Sequence, residues 1–464
     1  MTQFILNDKM VQSSEPAGST LLDFVRYHKR LVGTKIGCRE GDCGACTLLV
    51  GEFINGAMRY RSLTSCITPL GNVHGKHVVT IEGLNMDRLS PVQKAMVDES
   101  GQQCGFCTVG FIVSMTGECL SDKSPSLERM ISSIDGNICR CTGYKSIERA
   151  AALIASSLQQ KDLSDPIAWL VHKGFLPTYF SSITERLTKI SRPSIKKGLI
   201  LGGGTDLLVQ KHDEVYEASV GLMADQNGYH GIARGADHIV IGGATSTTSL
   251  LESSLMRDLF PKLYQHLKLV SSTPIRNIAT VAGNFINASP IGDLTAFFIG
   301  INADLTLTHP DGRDRQMRLK DIFKGYKILD LEEDEFVSKI SFDIPDANTY
   351  FNFEKVSKRR YLDIASVNSA ISISVKGAYI SNVHLSAGGV GPIPTYLAKT
   401  CRFLEGKPLN SETIQQASGI IESEIKPISD ARGSKEYKSL LLRQLFFAHF
   451  VELFPERVKI MELV

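Results

Sequence analysis

The sequence has no long hydrophobic run and no marked excess of charge. None of its 464 residues belongs to an uninterrupted apolar segment of about 18 residues, the length a membrane-spanning helix needs, so we expect no such helix. With 51 basic and 49 acidic residues, the formal charge is +2, which gives no electrostatic reason to bind nucleic acid. The first residues lack the basic stretch and apolar core of a secretion signal, so we expect a cytoplasmic protein.

Cysteine is frequent only in the first third of the chain. Nine of the ten cysteines precede residue 142, and eight of them follow spacings that suit metal ligands. Cysteines grouped in this way in a long chain are typical of a reducing compartment rather than of a secreted, disulfide-bonded protein. Cys119, in an apolar helical stretch, and Cys401, far away in the C-terminal third, are predicted to be small buried hydrophobic residues.

The first set of cysteines has the spacing of an iron–sulfur site. Its members are spaced C-x4-C-x2-C, with the last one following after nineteen more residues: Cys38, Cys43, Cys46 and Cys66. Four thiolates at this spacing can hold a plant-type 2Fe-2S cluster. Gly37, Gly41 and Gly44 let the backbone fold tightly and turn N–H groups toward anionic sulfur. Zinc and disulfide bonds are the alternatives, but zinc usually takes two C-x2-C pairs and disulfides do not need these glycines.

A second set of cysteines combines C-x2-C with C-x-C. The two pairs are separated by thirty-one residues: Cys104, Cys107, Cys139 and Cys141. Residues 110–120 and 126–134 between them have helical periodicity, and a helix N-terminus beside either pair would stabilise thiolates. A lone zinc ion or structural cysteines are the alternative, although C-x-C is unusual for zinc. The sequence therefore predicts two 2Fe-2S clusters with separate ligands.

The segments around the cysteines predict two small modules. Short strands are expected at residues 3–12, 47–50 and 78–81. With a helix capped by Ser19, they predict a mixed sheet of the β-grasp type in a module of about eighty residues. From Ser90 to residue 158 the pattern is helical, and residues 159–180 lose that periodicity and carry turn signals. We expect a linker there.

Two glycine-rich segments follow. The first is an apolar strand that runs into three glycines and a polar turn: Ile200, Leu201, Gly202, Gly203, Gly204, Thr205, Asp206 and Leu207. The second consists of small and hydroxyl residues and is followed by an aspartate: Thr280, Val281, Ala282, Gly283, Asn284 and, further on, Asp293. Such loops bring bare amides close to a phosphate, although a glycine triplet alone is equally typical of a tight turn. The GxGxxG pattern of a Rossmann fold is missing.

Taken together, these motifs resemble a known family. The first cysteine set, QCGFCTVGF and GNICRCTGY are similar to the paired iron–sulfur domains of the molybdenum hydroxylases, the xanthine dehydrogenase and aldehyde oxidase family. The family usually has proline where this chain has Val109, and RPI where it has Lys145-Ser146-Ile147. All eight cysteines are present, so these departures concern only a loop that proline would stiffen.

The resemblance covers essentially the whole chain and implies an α+β multidomain fold. The implied order begins with a β-grasp, ferredoxin-like 2Fe-2S domain at 1–84, a helical-bundle 2Fe-2S domain at 85–160 and a linker at 161–182. It continues with a two-part α/β FAD-binding domain of the vanillyl-alcohol-oxidase and CO-dehydrogenase-flavoprotein type at 183–346. An α+β C-terminal flavoprotein domain at 347–464 completes the chain.

The resemblance also implies a flavin site. In the family, the two glycine-rich segments cradle the pyrophosphate and ribose of FAD, and the aspartate that corresponds to Asp293 lies close by. Residues 353–360 resemble a stretch whose lysine approaches the flavin, so Lys355 would place a positive charge beside the anionic reduced ring. The basic residues Lys358, Arg359 and Arg360 fit a solvated face equally well.

As a member of this family, the chain would be an electron-transfer subunit of a xanthine dehydrogenase-like enzyme. Electrons would pass from a molybdopterin-binding large subunit, in a heterodimer or heterotetramer, through both clusters to FAD and on to NAD. Purine is the substrate that the family suggests, and another N-heterocycle or an aldehyde is the alternative. A stand-alone iron–sulfur redox protein or sensor with a degenerate flavin fold is a different interpretation, which the intact glycine-rich segments and Asp293 do not favour.

Overall fold

The chain forms two compact units. The computed structural model describes residues 1–54, 56–190, 198–223 and 228–463. The first unit contains Met1–Gln226 and Ser272–Ala279, and the second contains Asn227–Ser271 and Thr280–Val464. Within the described residues, no helix is both long enough and apolar enough to cross a membrane.

The first unit begins with a mixed five-stranded sheet. Its strands are β1 (Thr2–Leu6), β2 (Lys9–Ser13), β3 (Thr47–Ile54), β4 (Ala57–Thr64) and β5 (His77–Val79). Their order is β2-β1-β5-β3-β4, and only β1 and β5 pair in parallel. Phe4, Leu48 and Val78 are buried on the face that the crossing helix covers. The predicted β-grasp sheet is therefore confirmed.

The crossing helix differs in detail from the prediction. Helix α1 (Leu21–Asp23) passes directly into a π-helical turn, Phe24–His28. The N-cap is Thr20, whose hydroxyl accepts a hydrogen bond from the Asp23 N–H at 3.1 Å. Ser19, the predicted cap, instead donates to the Pro16 carbonyl at 2.7 Å. Two adjacent hydroxyl residues suit the cap equally by type, and only the backbone path decides between them.

Four helices follow the sheet in the first unit. They are α2 (Pro91–Asp98), α3 (Thr108–Cys119), α4 (Leu127–Ser133) and α5 (Lys145–Ser157). Helix α2 begins with a capping box in which Ser90 and Gln93 each accept a hydrogen bond from the other's N–H. Phe111, Met115 and Ile147 belong to the buried core of these helices. Cys119 is fully buried in the same core, as predicted.

The stretch that was expected to be a linker carries regular structure. It contains α6 (Pro166–His172) and a 3-10 turn (Thr178–Ser182), and α7 (Ile183–Leu187) follows. Leu170, Phe175 and Phe180 are buried in the core of the preceding helices. These apolar residues are spread among turn-forming residues, so no helical period is visible in the sequence.

A small parallel sheet closes the first part of the chain. Strand β6 (Leu199–Leu201) pairs with β7 (Val220–Leu222), and α8 (Leu207–Gln210) and α9 (His212–Glu217) connect them. Leu201, Leu208 and Val215 form its buried core.

The second unit begins with an antiparallel five-stranded sheet and its helices. The elements in chain order are β8 (Ile232–Arg234), β9 (His238–Gly242), α10 (Thr247–Glu252), α11 (Ser254–Leu259), α12 (Leu263–Lys268), α13 (Thr273–Arg276), α14 (Val281–Ile286), α15 (Asp293–Gly300), β10 (Asp304–Thr308), β11 (Asp314–Arg318), β12 (Phe323–Gly325), β13 (Ile328–Leu329) and β14 (Phe336–Asp343). The sheet order is β11-β10-β14-β9-β8, and β12 and β13 form a separate hairpin. Helix α13 alone among these elements belongs to the first unit.

The C-terminal part of the second unit is a four-stranded antiparallel sheet covered by helices. Its elements are β15 (Thr349–Val356), β16 (Val367–Lys376), β17 (Tyr379–Gly388), β18 (Thr395–Tyr396), α16 (Ala398–Leu404), α17 (Ser411–Glu424) and α18 (Lys435–Leu453). Phe446 and Phe450 of α18 are fully buried, because one face of this helix packs on β15 and β16. Cys401 is buried in the same core, as predicted.

Candidate metal and cofactor sites

The structure brings all four cysteines of the first set together. The Cys38 thiol interacts with the thiols of Cys43 and Cys66, and the Cys66 thiol also interacts with that of Cys46. Cys46 and Cys66 are buried, whereas Cys38 and Cys43 are half-buried. The four sulfurs therefore form one continuous group, with two members toward the protein interior.

The conformation of the loop depends on its glycines. Gly41 and Gly44 have φ angles of +82° and +67°, which L residues with side chains rarely adopt. A Cβ at Gly37 would lie 2.6 Å from the Cys43 Sγ, so glycine there leaves room for the sulfur. Arg39 also has a positive φ, 59°, and its guanidinium donates two hydrogen bonds, of 2.8 and 3.1 Å, to the Asp23 carboxylate.

Backbone N–H groups of the loop point at sulfur. The N–H groups of Glu40 and Cys43 donate to the Cys38 Sγ at 3.3 and 3.4 Å, and the Cys38 N–H donates to the Cys43 Sγ at 3.4 Å. The hydrogen bond from the Cys43 thiol, followed by that from Cys66, lowers the pKa of Cys38, and the same contacts raise the pKa of Cys43 and of Cys66. Four thiols this close do not all ionise by themselves. Iron stabilises all four thiolates, so the group fits an iron–sulfur cluster.

The second set forms two pairs of sulfurs. The Sγ atoms of Cys104 and Cys141 are 3.7 Å apart, and the thiols of Cys107 and Cys139, which are both free, interact with each other. Burial, helped by the contact with Cys139, raises the pKa of Cys107 to about 12. The Thr142 hydroxyl donates to the Cys139 Sγ at 3.2 Å. In the described part of the chain, no group of three or more His, Cys, Asp or Glu side chains is arranged to hold a single metal ion.

The second set lies nearer to the protein surface than the first. Cys104 and Cys141 are exposed, and Cys107 is half-buried at the start of α3. The side chains of Phe106 and Ile138 beside them are 46% and 40% exposed, although both are apolar. A cluster held here would therefore be close to solvent, and apolar side chains would surround it.

One glycine-rich segment belongs to the first unit. Ile200 and Leu201 are in β6, and the Gly202 carbonyl accepts a hydrogen bond of 2.8 Å from the Asn72 side chain. A Cβ at Gly203 would lie 2.0 Å from the Ile278 carbonyl oxygen, so the chain itself requires glycine at this position. Gly204 has a φ of +82°. Thr205 and Asp206 then lead into α8, which begins at Leu207.

The other glycine-rich segment belongs to the second unit. The Thr280 hydroxyl caps α14 by accepting a hydrogen bond from the Gly283 N–H at 3.1 Å. Val281 and Ala282 are buried beneath it. The Asn284 side-chain oxygen accepts from the N–H and the hydroxyl of Thr295 at 3.1 and 3.0 Å. This segment is therefore fixed by its own side chains to α15, the helix that begins at Asp293.

The Lys355 ammonium group has no hydrogen-bond donor left for a ligand. It donates to the Asp293 carboxylate at 2.6 Å and to the carbonyls of Leu269 and Asp363 at 2.7 and 2.8 Å. Its side chain is 1% exposed. Asn368 donates to the other Asp293 oxygen at 2.7 Å. An ammonium has three donors, so Lys355 holds Asp293 in place and its charge is balanced there.

Several residues of these sites were not singled out from the sequence. Asn137 and Ile138 connect the two cysteine loops, Arg39 holds the first loop, and Ser272–Ala279 packs in the first unit. Asn137 is the second residue of GNICRCTGY, the segment that resembles the family, and this position is the one sequence signal that points to it. The other contacts depend on residues that are distant in the sequence.

Four family models match the chain in succession. They are the 2Fe-2S iron-sulfur cluster binding domain (residues 4–71), the 2Fe-2S binding domain (80–152), the FAD binding domain in molybdopterin dehydrogenase (175–346) and the CO dehydrogenase flavoprotein C-terminal domain (353–453). The first two ranges contain the two cysteine sets. The third contains both glycine-rich segments, and the fourth contains Lys355.

Individual proteins are similar along most of the chain. Xanthine dehydrogenase 1 of Arabidopsis thaliana is 29% identical over 94% of this chain, and aldehyde oxidase 1 of Bos taurus is 26% identical over 99%. These matches cover 38% and 40% of the two relatives, so the chain spans about two fifths of their length. Carbon monoxide dehydrogenase from Hydrogenophaga pseudoflava, solved without the Mo-pyranopterin moiety, matches in fold with a TM-score of 0.52 at 24% identity, over 56% of this chain and 90% of that one.

Proposed function

Since this chain belongs to the molybdenum hydroxylase family, we propose that it carries electrons from a molybdopterin centre to a flavin. The observation that supports this most directly is that two complete groups of four cysteines lie in one compact unit, with their loops in contact. When bound, the 2Fe-2S clusters exchange single electrons and FAD exchanges one or two, which lets the flavin reduce a two-electron acceptor. The residues of the chain hold these groups and set the separation between them.

We assign the cluster ligands to the two cysteine sets. In the first set, backbone N–H groups already point at the sulfurs of Cys38 and Cys43, which stabilises negative charge there. In the second set, the exposure of Cys104 and Cys141 gives an external donor its shortest approach. We therefore propose that electrons enter at the second set and continue to the first.

We assign FAD binding to the two glycine-rich segments, residues 200–207 and 280–284, and to Asp293. Bare backbone in both segments suits a pyrophosphate, and Asp293 has a fixed position because Lys355 and Asn368 bond both of its oxygens. Lys355 acts on this site through Asp293. The boundaries 1–84, 85–160, 161–182, 183–346 and 347–464 stay part of the proposal, with residues 161–182 as an ordered connection.

The finer features are also proposals. We place the molybdopterin on a separate large subunit, NAD at the flavin as the electron acceptor and a purine as the substrate of the complex. The similarity to xanthine dehydrogenases supports these choices. Another N-heterocycle or an aldehyde would keep the same electron path through this chain.

Metal analysis, electron paramagnetic resonance (EPR) and absorption spectra test the proposal. We expect about four irons and four acid-labile sulfides per chain, because two separate ligand sets hold two 2Fe-2S centres. NADH should bleach the flavin and cluster bands together. Iron near two per chain would show that the chain holds one 2Fe-2S centre rather than two. Cluster bands without flavin bands would support the redox sensor instead.

The Cys43→Ser variant tests the ligand assignment. It should lose one of the two cluster EPR signals and keep the other, because the two sets share no residue. Cys119→Ser is the matched control, since Cys119 is buried away from both sets and has no assigned role. Retention of both signals in Cys43→Ser would mean that Cys43 is not a ligand.

A further inference from the structure

A single buried asparagine connects the two cysteine sets. Asn137 is 5% exposed and lies two residues before Cys139. Its side-chain NH2 donates to the Gly44 carbonyl, in the loop of the first set, at 3.1 Å. Its side-chain oxygen accepts a hydrogen bond of 2.8 Å from the hydroxyl of Ser114 on α3. Because Ser114 is itself buried, the orientation of the amide is fixed by partners on both sides.

The backbone beside Asn137 makes a short bonded connection between the sets. The Ile138 N–H donates to the Cys43 carbonyl at 3.0 Å. Cys43 belongs to the first set, and Ile138 is joined by a peptide bond to Cys139 of the second. One hydrogen bond and the covalent bonds of adjacent residues therefore link a sulfur of one set to a sulfur of the other.

Glycines let the backbone of the first cysteine loop come this close to Asn137 and to α3. A Cβ at Gly44 would lie 2.3 Å from the Gly136 carbonyl oxygen and 2.5 Å from the Asn137 Nδ2. A Cβ at Gly110 of α3 would lie 2.2 Å from the Gly44 carbonyl oxygen. Any larger residue at either glycine would push the first loop away from Asn137.

We propose that Asn137 is a positioning residue for electron transfer between the two clusters, an inference that rests on the proposed function. It holds the first loop against the Ile138 N–H, so the hydrogen bond to Cys43 stays formed. With both clusters bound, the contact held by Asn137 would lie on the path of the single electron that the centre of the second set would give up and the centre of the first would take. No bond is made or broken at Asn137. Tunnelling slows steeply when a hydrogen bond is replaced by a gap, so loosening this contact slows the step.

The test compares Asn137→Leu and Ser114→Ala with a matched control. Asn137→Leu removes both hydrogen bonds of the amide, and Ser114→Ala removes only the bond that orients it. Ser133→Ala is the control, because Ser133 is equally buried on α4 and its hydroxyl donates to the Met130 carbonyl, away from both loops. Iron content is measured first in the full chain, to show that each variant keeps both clusters.

Two measurements report on the contact itself. Hydrogen exchange of the Ile138 amide should accelerate roughly tenfold in Asn137→Leu, less in Ser114→Ala and not in Ser133→Ala. In freeze-quench EPR after mixing with dithionite, the delay between reduction of the two centres should lengthen about tenfold in Asn137→Leu, in the same order of variants. The magnetic interaction between the two reduced centres should weaken as well.

The outcomes separate this inference from the proposed function. Unchanged Ile138 exchange and an unchanged delay in Asn137→Leu with full iron would overturn the role of Asn137 and leave the electron path intact. If Asn137→Leu loses iron, Ser114→Ala takes its place in the test. A wild-type delay in Ser114→Ala would then overturn the role of Asn137. An unmodified chain with only one centre would instead contradict the proposed function.

Discussion

At the scale of single residues, the contribution of the Lys355–Asp293 ion pair to the free energy of unfolding can be predicted. The two side chains are 1% and 11% exposed, so loss of the lysine leaves a buried carboxylate that keeps its hydrogen bond from the Asn368 side chain but has lost its counter-charge. We expect Lys355→Met to lower the free energy of unfolding of the second unit by about 3–5 kcal/mol. Denaturant unfolding followed by tyrosine fluorescence measures this change.

An exposed lysine in the same unit provides the comparison. The Lys324 side chain is 53% exposed and pairs with Asp330 at 3.0 Å. Lys324→Met should cost about 0–1 kcal/mol, because water screens that pair. Equal stability of the two variants would show that the buried pair contributes little. Addition of Asp293→Asn to Lys355→Met should restore part of the loss, since it removes the unpaired charge.

The spacing of the cysteines predicts two separate sets, and the structure brings the members of each set together. Their role as cluster ligands stays a prediction, and the residues that support the two loops were predicted poorly. Arg39 and Asn137 were not found, because a positive φ and a bond between two loops leave no trace in residue spacing. The place of Lys355 beside the flavin stays a prediction, and its observed partners could not be predicted because they come from residues up to 86 positions away.

At the scale of elements, the turn into α14 gives the clearest test of the flavin site. A Cβ at Gly283 would lie 2.7 Å from the Thr280 hydroxyl oxygen, which caps α14, and would meet no backbone atom outside the helix. Loss of FAD affinity in Gly283→Ala therefore reports a ligand when thermal unfolding shows that the variant keeps the stability of the second unit. We expect FAD affinity to fall about tenfold, with iron content unchanged.

Released flavin fluorescence after denaturation measures FAD content in this series. Gly419→Ala is the control, because Gly419 is also helical and a Cβ there meets nothing within 4 Å. Gly203→Ala is not a clean test, since the added methyl would meet the Ile278 backbone whether or not a phosphate is bound. Normal FAD content in Gly283→Ala would show that the second glycine-rich segment does not bind FAD.

Helices and strands were predicted where one period dominates the sequence. Strands β1 and β3 and helices α3 and α4 lie where the alternation or the helical spacing of residues 3–12, 47–50, 110–120 and 126–134 predicts them. Helix α6 was missed because it buries Leu170 alone, and the other buried residues of this stretch, such as Phe175, follow the helix. The packing of distant residues, rather than local pattern, keeps that stretch ordered.

At the scale of the whole molecule, buried histidines make the second unit sensitive to acid. His449 bonds the side chains of Asn352 and Ser369 at 3.1 and 3.0 Å, and burial lowers its pKa to about 3. Burial lowers the pKa of His266 to about 4. Above about pH 6.5 these histidines are neutral in both the folded and the unfolded protein, so their protonation does not lower the free energy of unfolding. As the pH falls, only the unfolded chain takes up protons, and stability is lost until the folded pKa is reached.

Thermal unfolding at pH 7 and pH 5 tests this dependence. Each buried histidine should contribute a loss of about 1.4 kcal/mol per pH unit below its unfolded pKa. His449→Gln should therefore start less stable but lose less between the two pH values. An unchanged slope in His449→Gln would show that His449 takes up protons equally in the folded and the unfolded protein.

The sequence could not reveal how the chain divides into compact units. Motif order predicted the succession of domains, and the four family matches follow the same order. Ser272–Ala279 nevertheless packs in the first unit, where the Arg276 guanidinium donates to the Asp135 carboxylate at 2.7 Å across 141 positions of sequence. Only tertiary structure pairs residues at such a distance.

The position of this segment has a consequence for the order of synthesis. Ile275 and Ile278 pack against the buried group that contains Cys46 and Cys66. A ribosome has already made all four cysteines of the first set long before it reaches these two isoleucines. A nascent chain that ends at residue 226 therefore leaves the apolar side of Cys46 and Cys66 less covered than in the finished protein. Ile275 and Ile278 can cover that side only after residue 279 has left the exit tunnel. A cluster can therefore be inserted during synthesis, before these two side chains cover the site.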